Sequence, residues 1–230
     1  SSIEGDVPRI LLNRYPFQYA QPAAMIFNKI ISSSSWPRQW VQEEAIVLSK
    51  LKPQQLPQNE DDLRTISKTA WLSKCLENIL GDYILPIIDK YLDPGQCGGV
   101  KKSSISHYLI KLLDFAHRTM DKNTPHCAVL CTEDLSKAYN RGSHNLVIED
   151  FQAMHVPNWA LSLIFSYLKE RSLTLNYMNE RSESKMLPGG FGAGTWLGGL
   201  CFIVKFNGAC MRPPIPRPIT KNECMQVKFV

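Results

Sequence analysis

A chain of 230 residues with 44% hydrophobic and 20% charged side chains has enough apolar material for a sizeable core, which excludes a disordered chain. Its net charge of +5 is mild and spread along the sequence, so it permits a polyanionic partner such as nucleic acid without demanding one. Seven cysteines, an odd number with no Cys-x-x-Cys pair, argue against a disulfide framework or zinc site and fit a reducing compartment, and no apolar run reaches the roughly 18 residues of a membrane span.

Residues 9 to 31 place Ile10, Leu11, Phe17, Ala20, Ala24, Phe27 and Ile31 at helical spacing, interrupted by Pro16 and Pro22, so two or three helical pieces are expected. Ser32 to Ser35 break the pattern before Trp36-Pro-Arg-Gln-Trp40. Glu44 to Lys50 then reads as a short strand, 52 to 62 as an exposed loop rich in Pro, Gln, Asn and Asp, and Leu63-Arg-Thr-Ile-Ser67 as the returning arm of a hairpin. The arms carry Lys50, Lys52 and Arg64, which could clamp a polyphosphate or simply face solvent. From 68 to 91, Leu72, Leu76, Ile79, Tyr83, Ile87 and Ile88 recur at helical spacing, with a kink expected at Pro86. Asp93-Pro-Gly-Gln-Cys-Gly-Gly99 is a turn-rich loop, after which Ser103 or Ser104 can cap an amphipathic helix that runs to about Met120.

The next stretch, His126 to Arg141, carries the first chemical signal. Six residues of strand-forming character lead to Glu133 and Asp134, and Leu-Ser-Lys-Ala-Tyr follows as a turn into a short helix. A carboxylate at the carboxyl end of a buried strand is where an open α/β sheet usually places its chemistry. Strand alternation puts Ala128, Leu130, Thr132 and Asp134 on one face and Cys127, Val129, Cys131 and Glu133 on the other, so only one of the two acids can point into a given site. The same acid pair could equally begin a solvated loop or cap a helix.

Helices are expected at about 144 to 154 and 158 to 170, the second with Pro157 just ahead of it. Residues 172 to 178 alternate as a half-buried strand, and 184 to 187 can pair with them. Pro188-Gly-Gly-Phe-Gly-Ala-Gly194 then puts four glycines in seven residues directly ahead of Thr195 to Phe206, which reads as a buried helix. Backbone amides at such a junction can hold an anion or let a flat group approach closely, although a plain connector has the same composition. Neither the dinucleotide fingerprint nor the Gly-Lys-Ser/Thr phosphate loop is present. Because the chain begins at Ser1 and stops within a strand-like run, Met225 to Val230, a fragment is expected.

Taken in order, these stretches resemble the reverse transcriptase domain of non-long-terminal-repeat (LINE-type) retrotransposons over nearly the whole chain. Trp36-Pro-Arg-Gln-Trp40 resembles that family's Pro-x-x-Trp, Ile46-Val-Leu-Ser-Lys50 its Ile-Pro-Lys, and Asp62-Leu-Arg-Thr-Ile-Ser67 its Asp/Asn-Leu/Phe-Arg-Pro-Ile-Ser. Asp93-Pro-Gly-Gln-Cys-Gly98 resembles Asp-x-x-Gln-Phe-Gly, Asp134-Leu-Ser-Lys-Ala-Tyr-Asn140 the catalytic Asp-x-x-Lys-Ala-Phe-Asp, and Gly194 to Phe202 the Gly-Ser/Thr-x-Leu-Gly-Pro-x-Leu-Phe run. Each motif alone is weak; six in the family's order and spacing are specific.

The resemblance implies an RNA-directed DNA polymerase that uses an RNA template, a DNA primer and deoxynucleoside triphosphates, with Mg2+ as cofactor. In it Asp134 would be the catalytic residue and a metal ligand. Lys50 and Arg64 would hold the triphosphate, with Leu135 and Tyr139 at the nucleotide and Tyr139 under the incoming sugar. Ala193 and Gly194 would lie beside the base and template. A mixed α/β (α+β) fold is implied, with a helical N-terminal extension (1–43), right-hand polymerase fingers (44–125) and a partial palm (126–230). In that palm the strand 126–133 would pair with 224–230 and bring Val230 near Asp134. A nuclear location is implied by priming on chromosomal DNA.

Several positions depart from the family pattern. Ala193 stands where Gln is usual, within Pro-Gln-Gly, and lacks its donor and acceptor. Asn140 replaces a frequent Asp, Cys97 a frequent Phe and Lys102 a frequent Gly. Gln226-Val-Lys-Phe-Val230 looks like the first half of the next motif, apolar-x-Tyr/Phe-x-Asp-Asp, without the aspartates. With one matched carboxylate the chain is expected to hold magnesium badly and to be inactive by itself. The alternative is a decayed or repurposed remnant that binds nucleic acid without chemistry.

Overall fold

The computed structural model describes residues 6–52, 55–59, 62–100, 103–121, 130, 138–178 and 180–210. Helices come first. Helix α1 (Arg9–Arg14) is followed by α2 (Pro16–Ser33), which starts on Pro16, where the missing amide hydrogen costs nothing, and ends on left-handed Ser34. Pro22 was expected to interrupt the helix but lies inside α2. Pro22 and Gln18, whose carbonyl loses its intrahelical partner, are both exposed, so water can replace that bond.

Phe27 and Ile30 of α2 pack beside Trp36 and Trp40, with the Phe27 and Trp40 rings edge-on at 6.4 Å. Trp36 is fixed more firmly. Its backbone amide donates to Ser166 Oγ (2.8 Å), its indole to Ser73 Oγ (3.3 Å), and its ring meets Tyr167 edge-on at 5.1 Å. The aromatic pair thus delivers the chain into the sheet from a fixed point on the helical core.

That sheet has five strands in the order β2-β1-β3-β4, with β5 also on β3. Strand β1 (Gln42–Ser49) pairs antiparallel with β2 (Leu63–Lys68), from Glu44 opposite Lys68 to Ser49 opposite Leu63, so the expected hairpin is present. On its other side β1 pairs in parallel with β3 (Ser172–Tyr177), Gln42 beside Ser172 and Ile46 beside Asn176. The short strands β4 (Glu180–Arg181) and β5 (Lys185–Met186) return antiparallel along β3, as expected for 184–187. Because β1 and β3 are neighbours, the sheet joins residues from both sides of position 125.

The long crossover between β1 and β3 holds most of the helical layer. Helix α3 (Trp71–Ile88) runs through Pro86 without interruption and buries Leu76, Leu80, Ile84 and Ile88. Helix α4 (Ile105–Met120) begins at Ser104, whose side chain accepts from the His107 amide (3.4 Å), and α5 (His144–Ala153) begins at Ser143 in the same way. Helix α6 (Asn158–Lys169) contributes Leu163, Ile164, Tyr167 and Leu168 to the core. The last helix, α7 (Trp196–Cys210), packs on α3 and α5 and buries Leu197, Leu200, Cys201 and Val204. These seven helices and the sheet make a mixed α/β fold among the described residues. The expected strands 126–133, Leu130 apart, and 224–230 lie outside them, and so does the approach of Val230 to Asp134.

One glycine decides how closely α7 sits on α3. A Cβ added at Gly81 would fall inside the Trp196 indole, and that ring is too stiff to yield. Alanine is the better helix former by about 1 kcal/mol, yet overpacking of this kind costs about 1–3 kcal/mol. Gly81→Ala is therefore expected to lower stability in urea unfolding despite its higher helix propensity. An unchanged or raised midpoint would show that Trp196 does not cross α3 there.

Candidate functional site

The segment after Asp134 and the glycine-rich loop, far apart in sequence, meet through their backbones. The Phe191 amide donates to the Tyr139 carbonyl (2.7 Å), and the Gly190 amide to the Gly142 carbonyl (2.7 Å). Gly190 has φ +91°, and a Cβ there would lie 2.8 Å from the Tyr139 carbonyl oxygen, so both conformation and space require glycine. Its own carbonyl accepts from Arg171 Nη1 (3.2 Å) and from His144 Nε2 (2.9 Å).

Arg171 is the centre of this arrangement. Its Nε donates to Glu43 Oε1 (2.8 Å) and its Nη2 to the same oxygen, and both side chains are only 3% exposed. A buried pair of this kind draws its strength from geometry and low local dielectric. It ties the first residues of β1 and β3 to the loop at Gly190. His144, donating to a carbonyl beside a guanidinium, is held below its usual pKa, mainly by burial, and stays neutral with the proton on Nε2.

The loop's second half is fixed by Thr195. Its Oγ1 donates to the Gly192 carbonyl (2.9 Å) and accepts from Tyr167 Oη (2.8 Å) and the Gly198 amide (3.1 Å). Under the first turn of α7 lies Glu77, fully buried. Its Oε2 accepts from the Leu197 amide (3.3 Å), and its Oε1 from Ser73 Oγ (3.2 Å), which is itself bonded to Trp36. The entry to the sheet and the start of α7 thus share one buried polar chain.

Tyr139 stands in a short 3-10 turn (Ala138–Asn140) and stacks on Phe202 at 4.7 Å and 16°, with Phe206 continuing the stack at 5.7 Å. Burial raises the Tyr139 phenol above its usual pKa, so at neutral pH it is a hydrogen-bond donor and not a base. Beside it lies a cavity of about 420 Å³ lined by Gln96, Gly98, Tyr139, Trp196, Phe202 and Phe206 among others. The loop at 93–99 closes it. Gln96 Nε2 donates to the Ile203 carbonyl (3.0 Å), and the Asp93 amide to Asn207 Oδ1 (2.7 Å). Gln96 Oε1 and Trp196 Nε1 are buried without a hydrogen-bond partner. A cavity of this size, with aromatic and glycine walls and a few polar edges, suits a flat ring.

The sequence-predicted residues divide accordingly. Tyr139 is bonded through its carbonyl to Phe191 of the glycine-rich loop, the loop that also carries Ala193 and Gly194. Lys50 lies just beyond the other end of β1 from Glu43, about 23 Å along the strand, where its amide closes the hairpin on the Asp62 carbonyl (2.8 Å). Arg64 sits opposite Leu48 in β2, its side chain outside the described part, as are Asp134 and Leu135. Among the described residues no group of three or more His, Cys, Asp or Glu could hold a metal ion. Sequence reasoning passed over Arg171, Glu43 and His144. The available signal was slight, an arginine just ahead of an alternating strand and the first of two adjacent acids at the start of β1.

No family model matches the chain. Among curated proteins it is similar to the RNA-directed DNA polymerase from mobile element jockey of Drosophila melanogaster. The two are 24% identical over 191 residues, which cover 82% of this chain and 20% of that protein. The chain therefore spans about a fifth of the length of the relative it matches. The similarity supports a distant reverse-transcriptase-like relationship.

Glu77 gives the site a measurable pH signature. Burial pushes its carboxyl from 4.5 up to about 7. Between those values the folded chain keeps a proton that the unfolded chain has lost, so stability falls as pH rises. The contribution is full below 4.5 and gone above about 7, a loss of order 3 kcal/mol at about 1.4 kcal/mol per pH unit. Glu77→Gln still accepts from the Leu197 amide but cannot ionise. In urea unfolding at pH 5 and pH 8, the wild type is expected to lose more stability across the interval than the variant; equal losses would refute the assignment.

Proposed function

We propose that this chain is the fingers and part of the palm of an RNA-directed DNA polymerase of the non-long-terminal-repeat type, preceded by a helical extension at 1–43. The observation that carries the reading is the backbone ladder joining Tyr139 and Gly142 to Gly190 and Phe191. It brings the segment that follows the catalytic-type aspartate against the glycine-rich loop, as nucleotidyl transfer demands of groups that share one nucleotide. The distant similarity to the jockey polymerase supports it independently.

In this reading Asp134 lies at the reacting centre, where a primer 3′-hydroxyl attacks the α-phosphorus of a deoxynucleoside triphosphate in line with the departing pyrophosphate. Tyr139 and Leu135 bound the sugar, and the Tyr139 ring, braced by Phe202, sets the room available at the 2′ position. Arg64 and Lys50 on the hairpin hold the triphosphate, and Ala193 and Gly194 border the base and RNA template. Magnesium, when bound through Asp134 and further carboxylates, would supply charge neutralisation at the phosphates. The donor set here is short, because the matched motifs contribute Asp134 alone.

Two measurements test the proposal. Binding of an RNA–DNA primer-template to the chain is expected to weaken steeply with salt. Absence of binding at low salt would remove the reading altogether. In a primer-extension assay with magnesium and a homopolymer template, these 230 residues are expected to give no templated product, since one carboxylate cannot assemble a two-metal site. Clear synthesis would overturn that expectation and require a second carboxylate source within the chain.

A further inference from the structure

A second concavity, sharing no lining residue with the aromatic cavity, flanks the Tyr139–Phe191 ladder at residues 140–142 and 187–189. It is an open groove of about 500 Å³ between the start of α5, the end of α6 and the approach to the glycine-rich loop. Arg141, Asn145, Phe165, Lys169 and Pro188 are among its lining residues, and none of the lining residues is acidic. Among the described residues that line it, two carry a full positive charge and none a negative one. Arg141 and Lys169 are both exposed, and the Lys169 ammonium stands 5.8 Å from the centre of the Phe165 ring. Ser143 already caps α5, so the attraction comes from side chains and not from the helix end.

An aromatic ring with a lysine beside it and an arginine on the same open groove matches what single-stranded nucleic acid needs: a ring on which a base can stack, and cations to meet its phosphates. A duplex hides its base faces and cannot use Phe165. An acidic peptide could pair with the cations but would leave the ring unused. The groove also has a direction, because Leu187, Pro188 and Gly189 form its wall and lead without a break into Gly190 and the loop. We propose that the groove is a seat for a single-stranded nucleic acid, with a base on Phe165 and flanking phosphates on Arg141 and Lys169. That this strand is the unpaired template on its way to the loop rests on the function proposed above.

The test is a fluorescence anisotropy titration of the chain with a short labelled oligoadenylate, with the same oligomer lacking its bases, and with a polyglutamate peptide. The double variant Arg141→Gln/Lys169→Gln is expected to bind oligoadenylate about tenfold more weakly and to flatten the salt slope by roughly 1.4, near 0.7 per phosphate. Phe165→Leu is expected to weaken oligoadenylate about tenfold without changing the slope, and to leave the abasic oligomer unaffected. Both cations are exposed, so the charge variant keeps the fold; should Phe165→Leu unfold, the abasic oligomer on the wild type replaces it, and binding as tight as oligoadenylate would remove the stacking role. Oligoadenylate binding unchanged in the charge variant, with primer-template still bound by the wild type, would overturn the groove and leave the polymerase reading standing. Polyglutamate competing as well as oligoadenylate would overturn the nucleic-acid assignment. No binding of oligoadenylate or primer-template by the wild type would remove both.

Discussion

The ion pair between Arg171 and Glu43 is the constraint from which the site's arrangement follows. Two charges taken fully out of water gain stability only if their geometry is good and their remaining hydrogen-bonding capacity is used. Here the guanidinium spends two donors on Glu43 Oε1 and a third on the Gly190 carbonyl. Because Arg171 immediately precedes β3 and Glu43 is the second residue of β1, the pair fixes the register in which these parallel strands begin. An alternative register would leave a buried charge unmatched, a far larger cost than the pair's net contribution. Its value lies in specifying one arrangement.

From Gly190 the constraint passes to α7. Thr195 holds Gly192, Gly198 stands so close to the Gly192 carbonyl that a side chain would collide with it, and Glu77 takes the Leu197 amide from below. The loop therefore lies between two buried polar anchors, Arg171 on one side and Glu77 on the other. A loop rich in glycine would ordinarily be the least determined part of a fold. Here the missing side chains permit close approach, and the hydrogen bonds then remove the freedom that glycine brings.

What could be read from the sequence was mainly what depends on neighbours along the chain. The serine cap of α4, the hairpin of β1 and β2, the alternation of β3 and the helix after the glycine loop all follow from local spacing and turn chemistry. Pro22 was misread, because a proline rule for helix interiors takes no account of whether the lost bond faces water. The parallel pairing of β1 with β3 had no local signal, since some 130 residues separate Glu43 from Arg171 and neither strand carries the continuous apolar run of a fully buried one. Tyr139, Ala193 and Gly194 were named through motif resemblance. Their support was not, for an arginine heading a strand looks the same whether it meets solvent or a buried glutamate. Asp134 and the strand leading to it were read from pattern alone, and the structure's description does not extend to them.

The Tyr139–Phe191 ladder gives these observations a common geometry. One strand of the ladder presents Tyr139 to the aromatic cavity and Arg141 to the cationic groove, two residues apart. The other presents Pro188 to the groove, whereas Trp196 and Gly199, just past the loop, line the cavity. The ladder thus carries residues that line an aromatic cavity and residues that line a charged, open groove. Arg171 and His144 both bond to this ladder at one oxygen, that of Gly190. A change that releases this buried carbonyl would therefore loosen the hydrogen-bonded ladder that joins residues 139–142 to the glycine-rich loop.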